Sequence, residues 1–482
     1  MQEISGQDII RRIRVENPWW DGERDLTRGL KPRAYFRLFF PLLRDRSVRR
    51  AVVLLGPRRI GKTVMIHNAI QALMAEGTSP KSLCYFSVDH PIYNGLSLEK
   101  LLEYYEQASG VNHKTEPIYV FFDEIQYLRK WEVHLKSFVD TYPNIKALAS
   151  GSAAAALRMK SKESGAGRFT NFLLPPLSFY EYLDLLGKTD LVEPAPEFEQ
   201  PRHFFSAKNI EEVNDQFVEY LNFGGYPEVI FSPQIQSDPG RFIKSDIIDK
   251  VLLRDLPSLY GIGDVQELNY LFTTLAFNTA KEISLEQLSK NSGVAKNTIK
   301  RYIEYLEAAF LIKIVHRVDR NAKRFRRANF FKVYLTNPSM RAALFSPVVP
   351  SDDAMGALTE TAVFSHWFDF DSLYYARWPE GEVDIVSLLP ETQKPAWAVE
   401  VKWSDRSCDN PGELKNVISF CVHSGLKSAL VTSKTRTETC DVGGVRIDFM
   451  PASIYCYTLG FNHIAFHFLT NSLPTLPARH IE

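Results

Sequence analysis

The chain has 482 residues, 45% of them hydrophobic and 24% charged, with 57 Lys and Arg against 57 Asp and Glu. That length is more than one hydrophobic core supports and points to about two to four domains, with the ordinary composition of a globular protein. A net charge of zero excludes a globally basic nucleic-acid binder, so any such surface has to be a local patch.

Residues 1–50 read as an N-terminal arm. Met1 to Arg14 alternates charged and apolar residues and lacks the apolar core of a signal peptide. No stretch of the chain approaches a membrane helix in length. The five cysteines (Cys84, Cys408, Cys421, Cys440 and Cys456) have no C-x-x-C spacing, so neither a disulfide framework nor a zinc site is expected. These features predict a soluble, cytoplasmic protein. Asn17-Pro18-Trp19-Trp20 is an aromatic cluster that either packs the arm onto the first domain or docks elsewhere. Arg44, Arg46, Arg49 and Arg50 read as a solvated face, or as contacts to a nucleotide or a neighbour.

Residues 51–190 alternate apolar runs with helical patterns. Strands are predicted at Ala51–Leu55, Ser82–Val88, Ile118–Phe122 and Ile145–Ser150. Continuous apolar runs separated by helices predict a parallel sheet covered on both faces. Between the first strand and a helix beginning near Val64 lies Gly56-Pro57-Arg58-Arg59-Ile60-Gly61-Lys62-Thr63, which fits G-x-x-x-x-G-K-[ST] without departure. Backbone N–H groups of such a loop cradle phosphate oxygens at a helix N-terminus. Lys62 reaches the β- and γ-phosphates of ATP, and Thr63 offers its hydroxyl to Mg²⁺. The third strand delivers Asp123 and Glu124 at its C-terminal end, where parallel sheets bind ligands. Asp123 is placed to hold the metal and Glu124 to polarise the attacking water. Together these segments indicate a P-loop ATPase core.

The fourth strand ends in Ala149-Ser150-Gly151-Ser152. Either Ser150 or Ser152 can reach the γ-phosphate or the lytic water, and Ser152 is counted with the nucleotide-binding residues. Arg168, after a glycine-flanked loop, is a candidate to stabilise charge on the transferring phosphoryl group, in cis or on a neighbour.

Residues 191–280 are mainly helical, interrupted by a turn at Asn222-Phe223-Gly224-Gly225-Tyr226-Pro227, where tandem glycines permit unusual backbone angles. Residues 281–345 read as a winged helix-turn-helix. Ser284 caps a short helix, Ser292-Gly293-Val294 turns, and Asn297 to Leu306 forms a second helix with Ile299, Tyr302, Ile303 and Leu306 on one face. Leu311–Val315 follows as a strand. Lys313, Arg317, Arg320, Lys323, Arg324, Arg326, Arg327 and Lys332 then crowd the wing, with Phe325, Phe330 and Phe331 interleaved. Lys296, Lys300 and Arg301 add to them. Such a cluster supplies phosphate contacts to DNA, or else a solvated or protein-docking surface.

In residues 346–482 a helix, Gly356–Phe368, precedes alternating strands. Alternation puts Glu400 and Lys402 on one face of a strand, with Val399 and Val401 on the other. Asp384 lies on the preceding strand of a hairpin. Two carboxylates can hold a divalent metal, and a lysine can serve a water nucleophile or a developing anion. Glu-x-Lys on a strand is equally a cross-strand ion pair. Asp384, Glu400 and Lys402 resemble the D…E-x-K pattern of the PD-(D/E)XK nucleases, and Glu360 matches the additional glutamate that many members use as a metal ligand.

Taken in order, several stretches resemble one group of prokaryotic AAA+-type P-loop ATPases with a C-terminal domain of unknown function. They are Asn17–Trp20, the phosphate loop, Phe122-Asp123-Glu124-Ile125-Gln126, Gly151-Ser152, Gly167-Arg168, Leu174–Glu181, Gly224–Pro227, Arg254-Asp255-Leu256, the winged helix and the restriction-endonuclease-like end. The resemblance covers nearly the whole chain. It implies ATP binding and hydrolysis; the α/β fold and Mg²⁺ are expected from the motifs above, and a homo-oligomer or a protein partner stays open. The resemblance supplies no substrate.

Overall fold

The computed structural model describes residues 5–22, 25–151, 167–195, 204–323, 329–368, 370 and 372–466. Ser152, Arg324, Phe325, Arg326 and Arg327 lie outside them. The chain divides into two compact units, Met1–Pro175 and Pro176–Glu482.

In the first unit the apolar runs become β1 (Ala51–Leu55), β2 (Leu83–Ser87), β3 (Ile118–Asp123) and β4 (Ile145–Gly151). Every residue of β1, β3 and β4 is buried, as expected of strands covered on both faces. A fifth strand, β5 (Phe169–Leu173), completes an all-parallel sheet in the order β2-β3-β4-β1-β5. The arm belongs to this core. Helix α1 (Gly6–Glu16) starts with a Ser5–Asp8 capping box and buries Ile9 and Ile13. The Trp19 and Trp20 indoles donate to the Leu83 carbonyl at 3.1 and 3.0 Å. Asn17 donates to Tyr85 O and accepts from Tyr85 N, pairing with β2 as a short strand would. The tryptophans therefore pack the arm. The arginine run is also engaged within the unit: Arg46 donates to Ile118 O, and Arg49 to Val139 O at 3.2 Å.

Helices α2 (Phe36–Arg44), α3 (Lys62–Ala75), α4 (Leu98–Ser109) and α5 (Trp131–Thr141) complete the unit. The apolar core closes around Phe86, Phe122, Leu135 and Phe138.

The second unit opens with α6 (Phe179–Leu185), a two-stranded ribbon of β6 (Val192–Pro194) and β7 (Phe205–Ala207), and α7 (Ile210–Phe223). Helix α7 ends at Gly224, whose φ is −74°. Neither Gly224 nor Gly225 has a positive φ, so the expected unusual backbone is not what these glycines supply. They supply room: a Cβ on Gly225 would lie 1.8 Å from the Asn337 side chain.

Helix α8 (Val265–Phe277) leads into β8 (Glu282–Ser284), α9 (Leu285–Ser292), α10 (Lys296–Ala308), β9 (Ile312–Val318) and β10 (Phe330–Leu335). Ser284 caps α9 by accepting from Gln287 N. Ile299, Tyr302, Ile303 and Leu306 form the buried face of α10. Strand β10 pairs antiparallel with both β8 and β9.

The chain continues through α11 (Met355–Ser365), β11 (Leu373–Trp378), β12 (Gly381–Leu388), β13 (Pro395–Glu400), α12 (Lys415–Ser424), β14 (Ser428–Ser433), β15 (Glu438–Val442), β16 (Val445–Pro451) and α13 (Ala452–Phe466). Strands β11, β12 and β13 form an antiparallel meander, and β14 returns parallel to β13. Because β9 pairs with β11, one nine-stranded sheet runs β15-β16-β14-β13-β12-β11-β9-β10-β8. The expected boundary at 345/346 therefore does not separate two sheets. Among the described residues, no helix is long and apolar enough to cross a membrane.

Candidate functional site

The first site forms at the C-terminal edge of the parallel sheet. Gly56 ends β1 with its Cα against the end of β5: a Cβ there would stand 2.3 Å from Leu174 O and 2.6 Å from Ile60 Cδ1. Gly61, at φ 91°, turns the loop into α3, and no side chain caps that helix. Its first N–H groups are left for an anion. Lys62 is buried, and its Nζ donates to the loop's own carbonyls, Gly56 O at 3.0 Å and Pro57 O at 2.7 Å. Burial draws its pKa below the ordinary lysine value, against the pull of Glu124 and Asp123.

The Thr63 hydroxyl donates to Asp123 Oδ2 at 2.7 Å. The Tyr85 hydroxyl reaches the same oxygen at 2.8 Å, and Ser150 hydrogen-bonds Oδ1. Asp123 thus joins loop, β2, β3 and β4. Glu124 stands beside it in a left-handed conformation, φ 54°. Its N–H faces Ser150 Oγ at 3.3 Å, and Gln126 donates to its carboxylate. The structure therefore brings Gly56 to Thr63, Asp123, Glu124 and Ser150 together.

Arg168 does not join them. Ala51, the first residue of β1, pairs with Phe169, so Arg168 lies at the start of parallel strands whose far ends carry the phosphate loop. Five residues at about 3.3 Å each put about 16 Å between the two edges. There Arg168 pairs with Asp140. A role in cis at the phosphoryl group is overturned by the direction of β5.

Two site residues had no signature in the sequence. Buried Arg33 donates to Ile60 O at 3.0 Å and Pro175 O at 2.9 Å, tying the loop to the chain after β5. Tyr85 lies on an apolar strand, where a tyrosine reads as core. Its hydroxyl holds Asp123, its ring packs 5.3 Å from that of His67, and burial followed by the Asp123 charge raises its pKa far above the ordinary tyrosine value.

The second cluster lies in the other unit. Asp384 projects from β12, and its Oδ2 accepts from Val401 N at 2.9 Å. Glu400 ends β13, with Lys402 Nζ 2.7 Å from its Oε1. Glu360 comes from α11. A second cation among them is Lys332, which was expected on a DNA-facing wing. It lies on β10, 3% exposed, with Nζ 2.9 Å from Glu360, 2.6 Å from Glu382 and 3.3 Å from Asp384. The Tyr334 hydroxyl donates to Glu360 at 2.5 Å. Burial works against the Lys332 ammonium, but Tyr334 and the three carboxylates outweigh it and hold its pKa well above the usual range. Burial, reinforced by Asp384, pushes Glu360 up to about 7 and raises Glu400 as well.

Among the described residues of the basic run, Lys313, Arg317 and Arg320 are also engaged within the unit. Arg317 donates to Arg377 O at 3.0 Å and lies 3.7 Å from Glu282. Arg320 donates to Ser419. Lys296, Lys300 and Arg301 of α10 are exposed.

Residues 48–183 match the family model described as an AAA domain, and residues 214–349 match a domain of unknown function (DUF8612). An uncharacterized protein of Methanocaldococcus jannaschii, MJ1637, is 25% identical over 73% of this chain and 75% of its own length. An uncharacterized protein of Haemophilus influenzae is 24% identical over 60% of this chain and 68% of its own. Among solved structures, the Aeropyrum pernix ORC2 protein in its ADPNP–ADP complexes aligns at 12% identity with a TM-score of 0.34, over 74% of this chain and 92% of that one. With the loop geometry and parallel sheet, the matched model makes the first unit an AAA-type P-loop domain, a nucleotide-binding class.

Proposed function

We propose that the chain is a cytoplasmic, Mg²⁺-dependent ATPase of AAA+ type whose second unit engages duplex DNA under nucleotide control. The observation that carries the ATPase reading is the meeting of Thr63 Oγ1 and Asp123 Oδ2 at 2.7 Å beside the Lys62 helix terminus. A hydroxyl and a carboxylate so placed fit Mg²⁺, which when bound with ATP would be held by Thr63 and Asp123 and would neutralise charge on the β- and γ-phosphates. Lys62 exchanges the loop carbonyls for phosphate oxygens. Glu124 leaves Gln126 to orient the attacking water and accept its proton, and Ser150 keeps Asp123 in place. Any arginine contribution from Arg168 comes from a neighbouring copy, making the active species an oligomer. In the Glu124→Gln variant turnover should fall about 10²-fold or more while ATP stays bound. Normal steady-state hydrolysis would remove Glu124 from this role.

The order β8-α9-α10-β9-β10 supports a winged helix, and α11-β11-β12-β13-α12-β14 with Asp384, Glu400 and Lys402 supports a PD-(D/E)XK-like fold. The exposed N-terminal residues of α10 (Lys296, Asn297, Lys300 and Arg301) are the DNA-facing group, in place of the Lys313–Lys332 run. Duplex binding by the Lys300→Ala/Arg301→Ala variant should weaken and lose about two units of its log–log salt slope, read by gel shift between low and moderate salt. A wild-type protein with no salt-sensitive shift would favour a second reading: an ATP-driven scaffold that binds a protein partner. The internal use of Arg317, Arg320 and Lys332 is the observation on that side.

A further inference from the structure

The PD-(D/E)XK-like reading asks for a divalent metal among Glu360, Asp384 and Glu400. The side chains there do not fit one. Asp384 has both oxygens engaged, Oδ1 by Lys332 and Oδ2 by Val401 N. Glu360 Oε1 accepts from both Lys332 and Tyr334. Among the described residues, no group of three His, Cys, Asp or Glu is placed to hold a metal ion. Glu400 Oε2 is buried without a hydrogen-bond partner; it is one offered oxygen, and a hard cation needs six or so.

We propose that this centre carries its cation within the chain: the Lys332 ammonium stands where the metal would, and the second unit holds DNA without metal-dependent cutting. The proposal rests on the PD-(D/E)XK-like reading. Three carboxylates from two elements converge on one ammonium, Glu360 from α11 with Glu382 and Asp384 from β12, all within 3.3 Å. Arg377 neutralises Glu382 from the other side at 2.6 Å. Lys332 is nearly inaccessible to water and lies over the Tyr375 ring at 5.5 Å, so leaving the site would strand a buried charge. A divalent ion on Asp384 would have to share that carboxylate with a fixed positive charge. Because Lys332 comes from β10, outside the D…E-x-K segment, the motif looks complete in sequence while its cation position is filled.

Mn²⁺ binding to the nucleotide-free full chain, followed by electron paramagnetic resonance, tests this. Wild type and Asp384→Asn should bind Mn²⁺ identically. Lys332→Met should gain a site that Lys332→Met/Asp384→Asn lacks, and Mn²⁺ should raise the melting temperature of the single variant alone. A wild-type Mn²⁺ site lost in Asp384→Asn overturns the proposal and leaves the nuclease-like reading standing. A folded Lys332→Met without the new site overturns both, because the cluster is then no metal position at all. If Lys332→Met fails to fold, the comparison of wild type with Asp384→Asn decides alone, and metal-dependent plasmid cutting that Asp384→Asn lacks counts against the proposal.

Discussion

Replacing Lys62 with alanine is expected to weaken ATP binding about a hundredfold or more and to leave the fold intact. In the structure the Lys62 ammonium is buried on Gly56 O and Pro57 O. Binding exchanges these neutral acceptors for anionic phosphate oxygens. Hydrogen bonds to charged groups contribute about 1.5–3 kcal/mol each, and two of them, less the carbonyl contacts given up, leave about 3 kcal/mol. That is about two decades in Kd. Lys62→Arg should not rescue, because a planar fork does not fit a position shaped for a compact ammonium on a narrow loop. Calorimetric titration with ATP reads the loss, and circular dichroism checks that α3 and the sheet persist. An unaltered affinity in a folded variant would sink the assignment of residues 56–63 as the phosphate site.

The geometry of the loop at residues 56–63 was legible because its information is local. Eight consecutive residues fix a turn, a helix start and a lysine, and a run of buried apolar residues delivers Asp123 and Glu124. What the sequence withheld depends on partners far along the chain. Strand β5 is short and carries Thr170 and Asn171, so only its register with β1 makes it a strand. Arg168 could be placed only once the direction of β5 was known, since a residue before a strand and one after it lie at opposite edges of a parallel sheet. Tyr85 and Arg33 have no pattern to betray them. Lys332 sits in a run of basic residues, which reads as a surface, and Phe330, on the same face of the strand two residues earlier, is 44% exposed, yet Lys332 is buried. The carboxylates that receive it are 28 and more residues away. Gly224-Gly225 signalled a special backbone position, and the reason proved to be close neighbours, Tyr220 at Gly224 and the Asn337 side chain at Gly225.

Lys332→Met should destabilise the second unit by about 3–5 kcal/mol at pH 8, the usual cost of removing one partner from a buried ion pair. The lysine is 3% exposed, and its partners Glu360 and Asp384 are 13% and 11% exposed, so solvent screening relieves little of this. The variant leaves Glu360 with only the Tyr334 hydroxyl and Asp384 with only the Val401 amide. The loss should shrink on acidification, and the sign follows from proton linkage. Burial, then Asp384, already raises Glu360 to about 7 in the folded wild type, from an ordinary value of 4.5. Between those values the folded chain binds more protons than the unfolded one, so stability falls as pH rises through that window. Without the ammonium the folded value moves further up, and the penalty deepens toward pH 8. Lys332 itself, held well above its ordinary value, stays charged throughout, so its own titration adds no pH dependence over this range. Denaturant unfolding of both proteins at pH 8 and pH 5 measures the difference. Equal stability at pH 8 would mean that the ammonium does not bridge these carboxylates. A penalty equal at pH 8 and pH 5 would mean that Lys332 holds the cluster by packing its stem, with its charge contributing nothing.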